Sequence, residues 1–328
     1  MAKKYAFPLL FFAFLSLCPT PSGSVAAGPD FYCRQDRIFH RRTPLLFAHR
    51  GGAAVMPEST EKAFRWAWEE AGADVLELDV QITADGRFVV WHGATLRRVC
   101  WTVRRPGGTP PSERDRAISE WRWPDMADRV WEPDPGGICT LSPPADWPER
   151  RLLLLTRLLA LFPDAPLNIE MKPSFAPDPG KGRGLAANVK AFSRILAADG
   201  DRRPIVVVSA DHDIIEAFRR HNGDRWPTNL SPREQITFKF TEPDLHHRVL
   251  ETTYSSVASS RAVVEKVRRL GGHTYVFLTA FWPWPAIDNP PDSDTVFAIL
   301  DRGVDGVMTD RPLAFRRIMD RWIRQRCR

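Results

Sequence analysis

The stretch "VLELDVQITADGRFVVWHG", residues 75–93, combines a strand pattern with two carboxylates and a histidine. Successive side chains of a strand point to opposite faces, so Glu77 and Asp79 share one face at a separation of about 6.6 Å. Leu76, Leu78 and Val80 take the other face. Carboxylates that face a protein interior need compensating positive charge, because burial disfavours the charged form. The pair therefore indicates either a site for a hard divalent cation or a strand end whose acids face water.

The quoted stretch contains two apolar runs with a strand pattern, and six further runs of this kind lie elsewhere in the chain. With the first stretch they give eight predicted strands, at residues 45–49, 75–80, 87–92, 166–172, 204–209, 236–240, 274–280 and 305–309. Helical patterns lie between most of them, and Ser59 or Thr60 can cap a helix that ends near Gly72. Such alternation predicts a parallel sheet, and eight strands predict a closed (β/α)8 TIM barrel. Asp85-Gly86 breaks the rhythm, because this dipeptide is typical of a hairpin, and its geometry is left open.

An irregular segment of about residues 100–148 follows the third predicted strand. It is rich in proline and glycine, and its tryptophans are Trp101, Trp121, Trp123, Trp131 and Trp147. We interpret it as an insertion that lies over one end of the barrel. Its tryptophans either pack the loop or make a peripheral membrane contact, since tryptophan favours the boundary between lipid and water.

Residues 1–27 have the order of a secretory signal peptide. Lys3 and Lys4 precede a twelve-residue apolar run, and small residues allow cleavage after Ala26 or Ala27. We therefore expect an exported protein, periplasmic or secreted, with residues 28–328 as a single domain. A lipid-anchored form through Cys18 is the alternative.

The composition is that of an ordinary globular protein, with 43% apolar and 26% charged residues among 328. The formal net charge of +6 drops by two with the leader, and we expect no nucleic-acid partner. Four cysteines remain in the mature chain, an even number that favours disulfides in an exported protein. We predict the pairs Cys33–Cys327, near the two chain ends, and Cys100–Cys139, which brackets the insertion.

Several further polar side chains fall at predicted strand ends. Asn168, Glu170 and Lys172 share one face of the fourth strand, which adds a third carboxylate and a cation. The candidate set is His49, Arg50, Glu77, Asp79, His92, Glu170 and Lys172. Active sites of such barrels lie at the carboxyl ends of the strands, so these residues should converge. Two histidines, two cations and three acids are typical of a metal-assisted phosphate site with acid–base catalysis.

The motifs resemble the glycerophosphodiester phosphodiesterase family, whose pattern runs His-Arg-Gly, Pro-Glu-Asn-Thr, Glu-x-Asp, a threonine–aspartate–glycine turn and His-Asp. The matching tract is "FAHRGGAAVMPESTEKAFRWAWEEAGADVLELDVQITADGRFVVWHG", residues 47–93. "LNIEMK", residues 167–172, resembles the later Glu-x-Lys strand, and "GVDGVMTDRP", residues 303–312, the closing strand. The resemblance spans roughly residues 44–315 and implies a TIM barrel.

The resemblance also implies roles for the candidate residues. His49 and His92 would be the general acid and base, in either order, while Arg50 and Lys172 would bind the phosphate. Glu77, Asp79 and Glu170 would hold a divalent metal, calcium or magnesium, and Glu58 would support the metal or His49. In the family mechanism a glycerol hydroxyl attacks phosphorus and expels the alcohol, and water then opens the cyclic phosphate to glycerol 3-phosphate. The implied partner is a small-molecule glycerophosphodiester.

Three positions depart from the family pattern. Gly93 replaces the aspartate after the second histidine, Ser59 replaces the asparagine of Pro-Glu-Asn-Thr, and "VFLTAFWPWP", residues 276–285, stands in place of Trp-Thr-Val-Asn. Two other functions therefore stay open. One is a phospholipase D-like hydrolase of lysolipid or sphingolipid headgroups, and the other is a non-catalytic phosphate- or lipid-binding barrel.

Overall fold

A computed structural model describes most of the chain. The described residues are 29–96, 101–104, 115–127, 130–133, 151–178, 183–238, 240–253, 259–278 and 293–327. The predicted signal peptide, Cys18, Cys100, Cys139 and Trp147 lie outside these ranges. Within the described part, no helix is both long enough and apolar enough to cross a bilayer.

The described residues contain twelve strands. They are β1 (Leu45–Ala48), β2 (Val75–Ile82), β3 (Phe88–Val90), β4 (Trp101–Arg104), β5 (Val130–Pro133), β6 (Leu153–Leu154), β7 (Leu167–Met171), β8 (Ile205–Val208), β9 (Thr228–Asn229), β10 (Arg248–Thr253), β11 (His273–Leu278) and β12 (Gly306–Thr309). Eight of them pair in parallel in the order β1, β2, β7, β8, β9, β10, β11 and β12. Because β1 also pairs with β12, the sheet closes and the predicted (β/α)8 barrel is confirmed.

Nine helices are described. They are α1 (Pro29–Tyr32), α2 (Glu61–Glu69), α3 (Leu155–Leu161), α4 (Leu185–Ala198), α5 (His212–Asn222), α6 (Pro232–Thr237), α7 (Arg261–Arg269), α8 (Ser293–Leu300) and α9 (Pro312–Arg326). The predicted cap of α2 is Thr60, whose hydroxyl accepts from the backbone N–H of Ala63 at 3.2 Å. The hydroxyl satisfies one N–H that the first turn of a helix leaves without a partner.

The predicted strand at residues 87–92 is present, but it is not one of the eight strands that close the barrel. Residues 88–90 form β3, which runs antiparallel to β2 and pairs next with β6, outside the closed barrel. The cause is the turn at Asp85-Gly86, where Gly86 has a φ of 76°. Glycine adopts this left-handed conformation at little cost, so the chain reverses as a hairpin where a parallel barrel needs a crossover.

The predicted strand at 236–240 is also wrong, because α6 covers residues 232–237. Ser231 and Glu234 form a capping box that starts this helix, and Pro232 occupies its first turn. The sequence analysis missed two barrel strands on either side, β9 and β10. β9 has only two residues, and β10 carries polar side chains inside the barrel, so neither has the apolar pattern of a buried strand.

The barrel interior is apolar toward the amino-terminal ends of the strands. It is filled mainly by Leu45, Phe47, Val75, Val206, Val208, Val249, Tyr275 and Met308. The amino-terminal segment packs below this layer, where the Asp36 carboxylate accepts from Tyr275 Oη at 3.2 Å and lies 2.9 Å from His273 Nδ1. The predicted disulfide joins Cys33 to Cys327, with 5.7 Å between their Cα atoms. The candidate site residues lie at the opposite, carboxyl end of the strands.

The insertion is described only in part. β4 and β5 pair within it as a separate two-stranded sheet, and a short segment around Ile118 and Trp121 packs on Trp91 and Leu96. The Trp121 side chain is buried, which agrees with a packing role for this tryptophan. Asp85 ties the segment to the β2–β3 turn, since its carboxylate accepts from a backbone N–H of the insertion at 3.0 Å.

Candidate functional site

The parallel pairing of β2 with β7 brings three carboxylates together. Glu77 lies opposite Asn168, and Asp79 lies opposite Glu170. All of these side chains point into the barrel, and one oxygen from each of the three acids lies within 4.8 Å of the others. Glu77 and Asp79 are buried, so their shared face is the barrel interior and not a strand end facing water.

Two cationic side chains sit against this carboxylate cluster. Lys172 Nζ lies 2.8 Å from Asp79 Oδ1 and 2.8 Å from Glu170 Oε1. Arg50 Nε lies 3.0 Å from Asp79 Oδ2, and the Arg50 backbone N–H donates to Glu77 Oε2 at 2.9 Å. Both cations predicted to bind phosphate therefore lie at the acids and offset part of their charge.

The compensation is uneven across the three acids. Burial acts to raise the pKa of Asp79, but the charges of Lys172, His92 and Arg50 outweigh it and hold that pKa well below its usual value. Burial raises the pKa of Glu77 well above its usual value, and the neighbouring Asp79 raises it further. Burial also raises the pKa of Glu170, although Lys172 opposes this. When all three acids are ionised, the nearby positive charge therefore does not fully offset their negative charge.

His49 lies at the end of β1, in a short 3₁₀ turn over His49–Gly51. Its Nδ1 lies 2.6 Å from Asp310 Oδ1, while its Nε2 lies 3.9 Å from Glu77 Oε2. Arg50 has a φ of 50° in this turn, which directs its backbone N–H at Glu77. A carboxylate on one ring nitrogen fixes the ring's orientation and leaves the other nitrogen facing the acids.

Close packing holds this turn against α2. A Cβ atom at Gly51, whose φ is 82°, would meet Ala63 Cβ at 2.8 Å. Glu58 lies just before α2 and accepts a hydrogen bond from Arg50 Nη1 at 3.0 Å. Glu58 thus contacts the arginine that borders the carboxylate cluster, and its predicted support of the metal or of His49 stays a prediction.

His92 reaches the site through the β2–β3 hairpin. The chain returns antiparallel to β2, and the N–H of Trp91 donates to the carbonyl of Asp79 at 2.9 Å. His92 follows directly and contributes to lowering the pKa of Asp79. Gln81 Nε2 donates to the carbonyls of His92 and Gly93, at 3.2 and 2.8 Å. The predicted convergence of His92 on the acids holds, although the strand geometry behind it differs.

A fourth interior acid faces the cluster from another wall. Glu251 lies on β10, three strands from β7 in the barrel order, and is partly exposed. Asn168 Nδ2 donates to Glu251 Oε1 at 2.5 Å. Burial raises the pKa of Glu251 to about 7, a hydrogen bond from Asn168 opposes the shift, and the charge of Glu170 adds to it.

The predicted site residues did not include Asp310, Gln81 or Glu251. Asp310 lies inside the quoted tract at residues 303–312, so the resemblance offered a signal for it. Gln81 continues the alternation of Glu77 and Asp79 on β2, which is a second available signal. Glu251 had no signal, because its strand was not predicted.

A cavity of about 450 Å³ opens at the opposite end of the barrel. Most of its lining residues precede β8, β9 and β10, and they include Arg225, Trp226 and His247. The cavity contains none of the candidate site residues. Reactive groups of a TIM barrel lie at the carboxyl ends of its strands, so we assign the site to the carboxylate cluster.

Fold and site together define a TIM barrel that gathers three carboxylates, two cations and two histidines at the carboxyl ends of its strands. The profile of the Glycerophosphoryl diester phosphodiesterase family matches residues 49–314. The chain belongs to this family, and the resemblance noted in the motifs is confirmed. The match includes His49 near its start and Asp310 near its end.

Individual proteins resemble this chain over different ranges. A glycerophosphodiester phosphodiesterase of Caldanaerobacter subterraneus is 52% identical over 54 residues, which is 16% of this chain and 22% of that protein. The chain thus spans about a fifth of the length of this relative. A Silicibacter pomeroyi structure has a TM-score of 0.65 at 22% identity and covers 85% of this chain and 94% of its own.

A phosphodiesterase from Oleispira antarctica was solved in complex with the product sn-glycerol-3-phosphate. It has a TM-score of 0.58 at 16% identity and covers 84% of this chain and 97% of its own. At these identities the two solved structures support the barrel fold alone.

The acid on β10 gives a pH prediction. The folded state holds the Glu251 proton more tightly than the unfolded chain does. The stability that this proton gives to the fold is therefore complete below the ordinary pKa of 4.5, and it is lost as the pH rises to about 7. The difference between the two pKa values corresponds to on the order of 3 kcal/mol. Glu251→Gln, which cannot ionise, should flatten the decline in unfolding free energy of the metal-free protein, measured by urea denaturation across this range. Parallel declines in wild type and variant would contradict the assignment.

Proposed function

We propose that this protein hydrolyses glycerophosphodiesters to glycerol 3-phosphate and an alcohol, with a divalent metal and two histidines. The observation that carries the proposal is the carboxylate cluster with His49 Nε2 at 3.9 Å from Glu77. Family membership over residues 49–314 supports the reaction class. The product complex of the Oleispira antarctica phosphodiesterase supports the choice of glycerol 3-phosphate as product.

The carboxylate cluster fits a hard divalent cation. Both oxygens of Asp79 are buried and lack a hydrogen bond of acceptable geometry, although Lys172 and Arg50 lie close to them. Glu77 and Glu170 have raised pKa values, so a further cation would stabilise their ionised forms. Oxygen ligands suit calcium and magnesium alike. Held by Glu77, Asp79 and Glu170, the metal would screen the charge of the phosphate and of the transition state.

Arg50 and Lys172 would then bind the phosphate. Both already lie within ion-pair distance of Asp79, so a metal that neutralises the acids frees their remaining donors for phosphate oxygens. Arg50 is held in place by Glu58 and by its own turn, which limits the side-chain entropy lost on binding.

Proton transfer falls to His49 and His92. One imidazole takes the proton of the attacking glycerol hydroxyl as the new P–O bond forms. The other gives a proton to the oxygen of the alcohol as its P–O bond to phosphorus breaks. Water then adds to the cyclic phosphate, which opens to glycerol 3-phosphate with the two histidines in exchanged roles. The contact of His49 Nδ1 with Asp310 Oδ1 at 2.6 Å supports this role, because it limits rotation of the ring.

The first experiment measures glycerol 3-phosphate released from glycerophosphocholine by the mature protein. We expect release with calcium or magnesium, none with chelator, and a loss of at least about a hundredfold in His49→Ala, because general acid–base catalysis contributes that much. His247→Ala, at an exposed histidine on the opposite end of the barrel, is the matched control and should retain activity.

Other results of that experiment would point elsewhere. Release from micellar lysophosphatidylcholine, with none from the water-soluble diester, would replace the proposal with a phospholipase D-like reaction. Hydrolysis of neither substrate, with intact metal binding, would indicate a non-catalytic phosphate- or lipid-binding barrel.

Metal binding has its own prediction. Glu77→Gln keeps the size of the side chain but removes a negative ligand, so the affinity for calcium or magnesium should fall about tenfold or more, together with activity. Isothermal titration calorimetry of the metal-free protein measures the affinity, with the exposed Glu69→Gln as control. Wild-type metal affinity in Glu77→Gln would refute the ligand assignment.

We also propose that the chain is exported with residues 1–27 removed. The Cys33–Cys327 disulfide supports this, because such bonds persist in oxidising compartments. Mass spectrometry of the exported protein without reductant should find an amino terminus at Ala27 or Gly28 and a peptide cross-linked through these two cysteines. A retained leader, or free thiols at both positions, would contradict the proposal.

A further inference from the structure

Glu251 is an interior acid that the proposed reaction does not use. It faces the carboxylate cluster from the far wall of the barrel, on β10, while the proposed metal ligands lie on β2 and β7. It is partly exposed at the end of the barrel where the histidines lie. Its carboxylate contacts Asn168 of β7 and interacts electrostatically with Glu170, so a ligand bound at the carboxylate cluster would lie close to it.

Asn168 fixes the orientation of the Glu251 carboxylate. It is fully buried two residues before Glu170 and donates Nδ2 to Glu251 Oε1 at 2.5 Å. The Asn168 Oδ1 atom is buried without a hydrogen-bond partner in the described structure. An unpaired buried carbonyl costs free energy, so this asparagine is poorly suited to a purely structural role. Within the described part of the chain, the one hydrogen bond of its side chain goes to Glu251 and orients that carboxylate.

We propose that Glu251, positioned by Asn168, accepts a hydrogen bond from a hydroxyl group of the glycerol moiety and so selects substrates that carry glycerol. The inference rests on the proposed function, since it assumes that the phosphate lies at the carboxylate cluster. It adds a determinant of substrate choice on β10, separate from the metal and the phosphate contacts.

The local chemistry favours a hydroxyl ligand. A phosphate oxygen would be repelled by a carboxylate, and the two cations that attract phosphate pair with Asp79 and Glu170 in the described structure. A carboxylate oxygen is a strong acceptor for an O–H donor. Binding sites that hydrogen-bond a substrate hydroxyl discriminate strongly against an analogue without it, because the buried acceptor is then left unpaired.

The test compares two ligands of equal carbon number, glycerol 3-phosphate and n-propyl phosphate, which lacks both hydroxyls. Their dissociation constants are measured by calorimetry with saturating magnesium or calcium. Wild type should bind glycerol 3-phosphate about tenfold or more tightly than n-propyl phosphate. Glu251→Leu should bring this ratio close to one, while the affinity for n-propyl phosphate changes by less than about threefold.

Glu251→Gln is the matched variant, because its amide oxygen can still accept from a hydroxyl, and it should retain most of the preference. Glu251→Ala replaces the leucine variant if that chain does not fold. An unchanged ratio in Glu251→Leu or Glu251→Ala, or an equal loss of affinity for both ligands, would overturn the inference while leaving the proposed function intact. A wild-type protein that binds neither phosphate in the presence of metal would instead overturn the proposed function, and this inference with it.

Discussion

Three carboxylates packed within 4.8 Å inside a barrel can ionise together only if positive charge offsets them. The pairing of β2 with β7 sets their spacing through the backbone, so the side chains cannot move far apart. Arg50 and Lys172 supply two positive charges, yet the pKa values of Glu77 and Glu170 stay raised. The fold therefore holds an acidic site whose charge its own cations only partly offset, which is the condition under which a divalent ion binds well.

Much of the site was predictable because alternation along a strand is a local property. Glu77 and Asp79 had to share a face once the strand was recognised, and the same holds for Asn168, Glu170 and Lys172. The register between these strands was not predictable from local pattern. It depends on long-range packing, and it is what brings Glu170 opposite Asp79. The order of the motifs indicated only indirectly, through the resemblance to a family, that Glu170 belongs with Glu77 and Asp79.

The errors in the fold predicted from the sequence also have physical causes. Eight strands were expected and eight close the barrel. Of the predicted set, however, β3 lies outside the barrel, the segment at 236–240 is not a strand, and two barrel strands were missed. β10 carries Glu251 and Thr253 on its inner face, so it lacks the apolar run that marks a buried parallel strand. Polar groups inside the barrel thus remove the apolar pattern by which their strand could have been recognised in the sequence. Asp310 lay within a recognised tract, yet only the structure shows it against a histidine 261 positions earlier.

The glycine after His92 bears on how this histidine is held. The family pattern has an aspartate at this position, and Gly93 has no side chain with which to support its neighbour. Gln81 instead binds the carbonyls of His92 and Gly93, and the backbone of Trp91 binds that of Asp79. Because Gln81 alternates with Glu77 and Asp79 on β2, one strand anchors both the backbone of His92 and two of the proposed metal ligands. A shift of β2 by one residue would turn all three side chains out of the barrel, so the register of this strand governs the whole site.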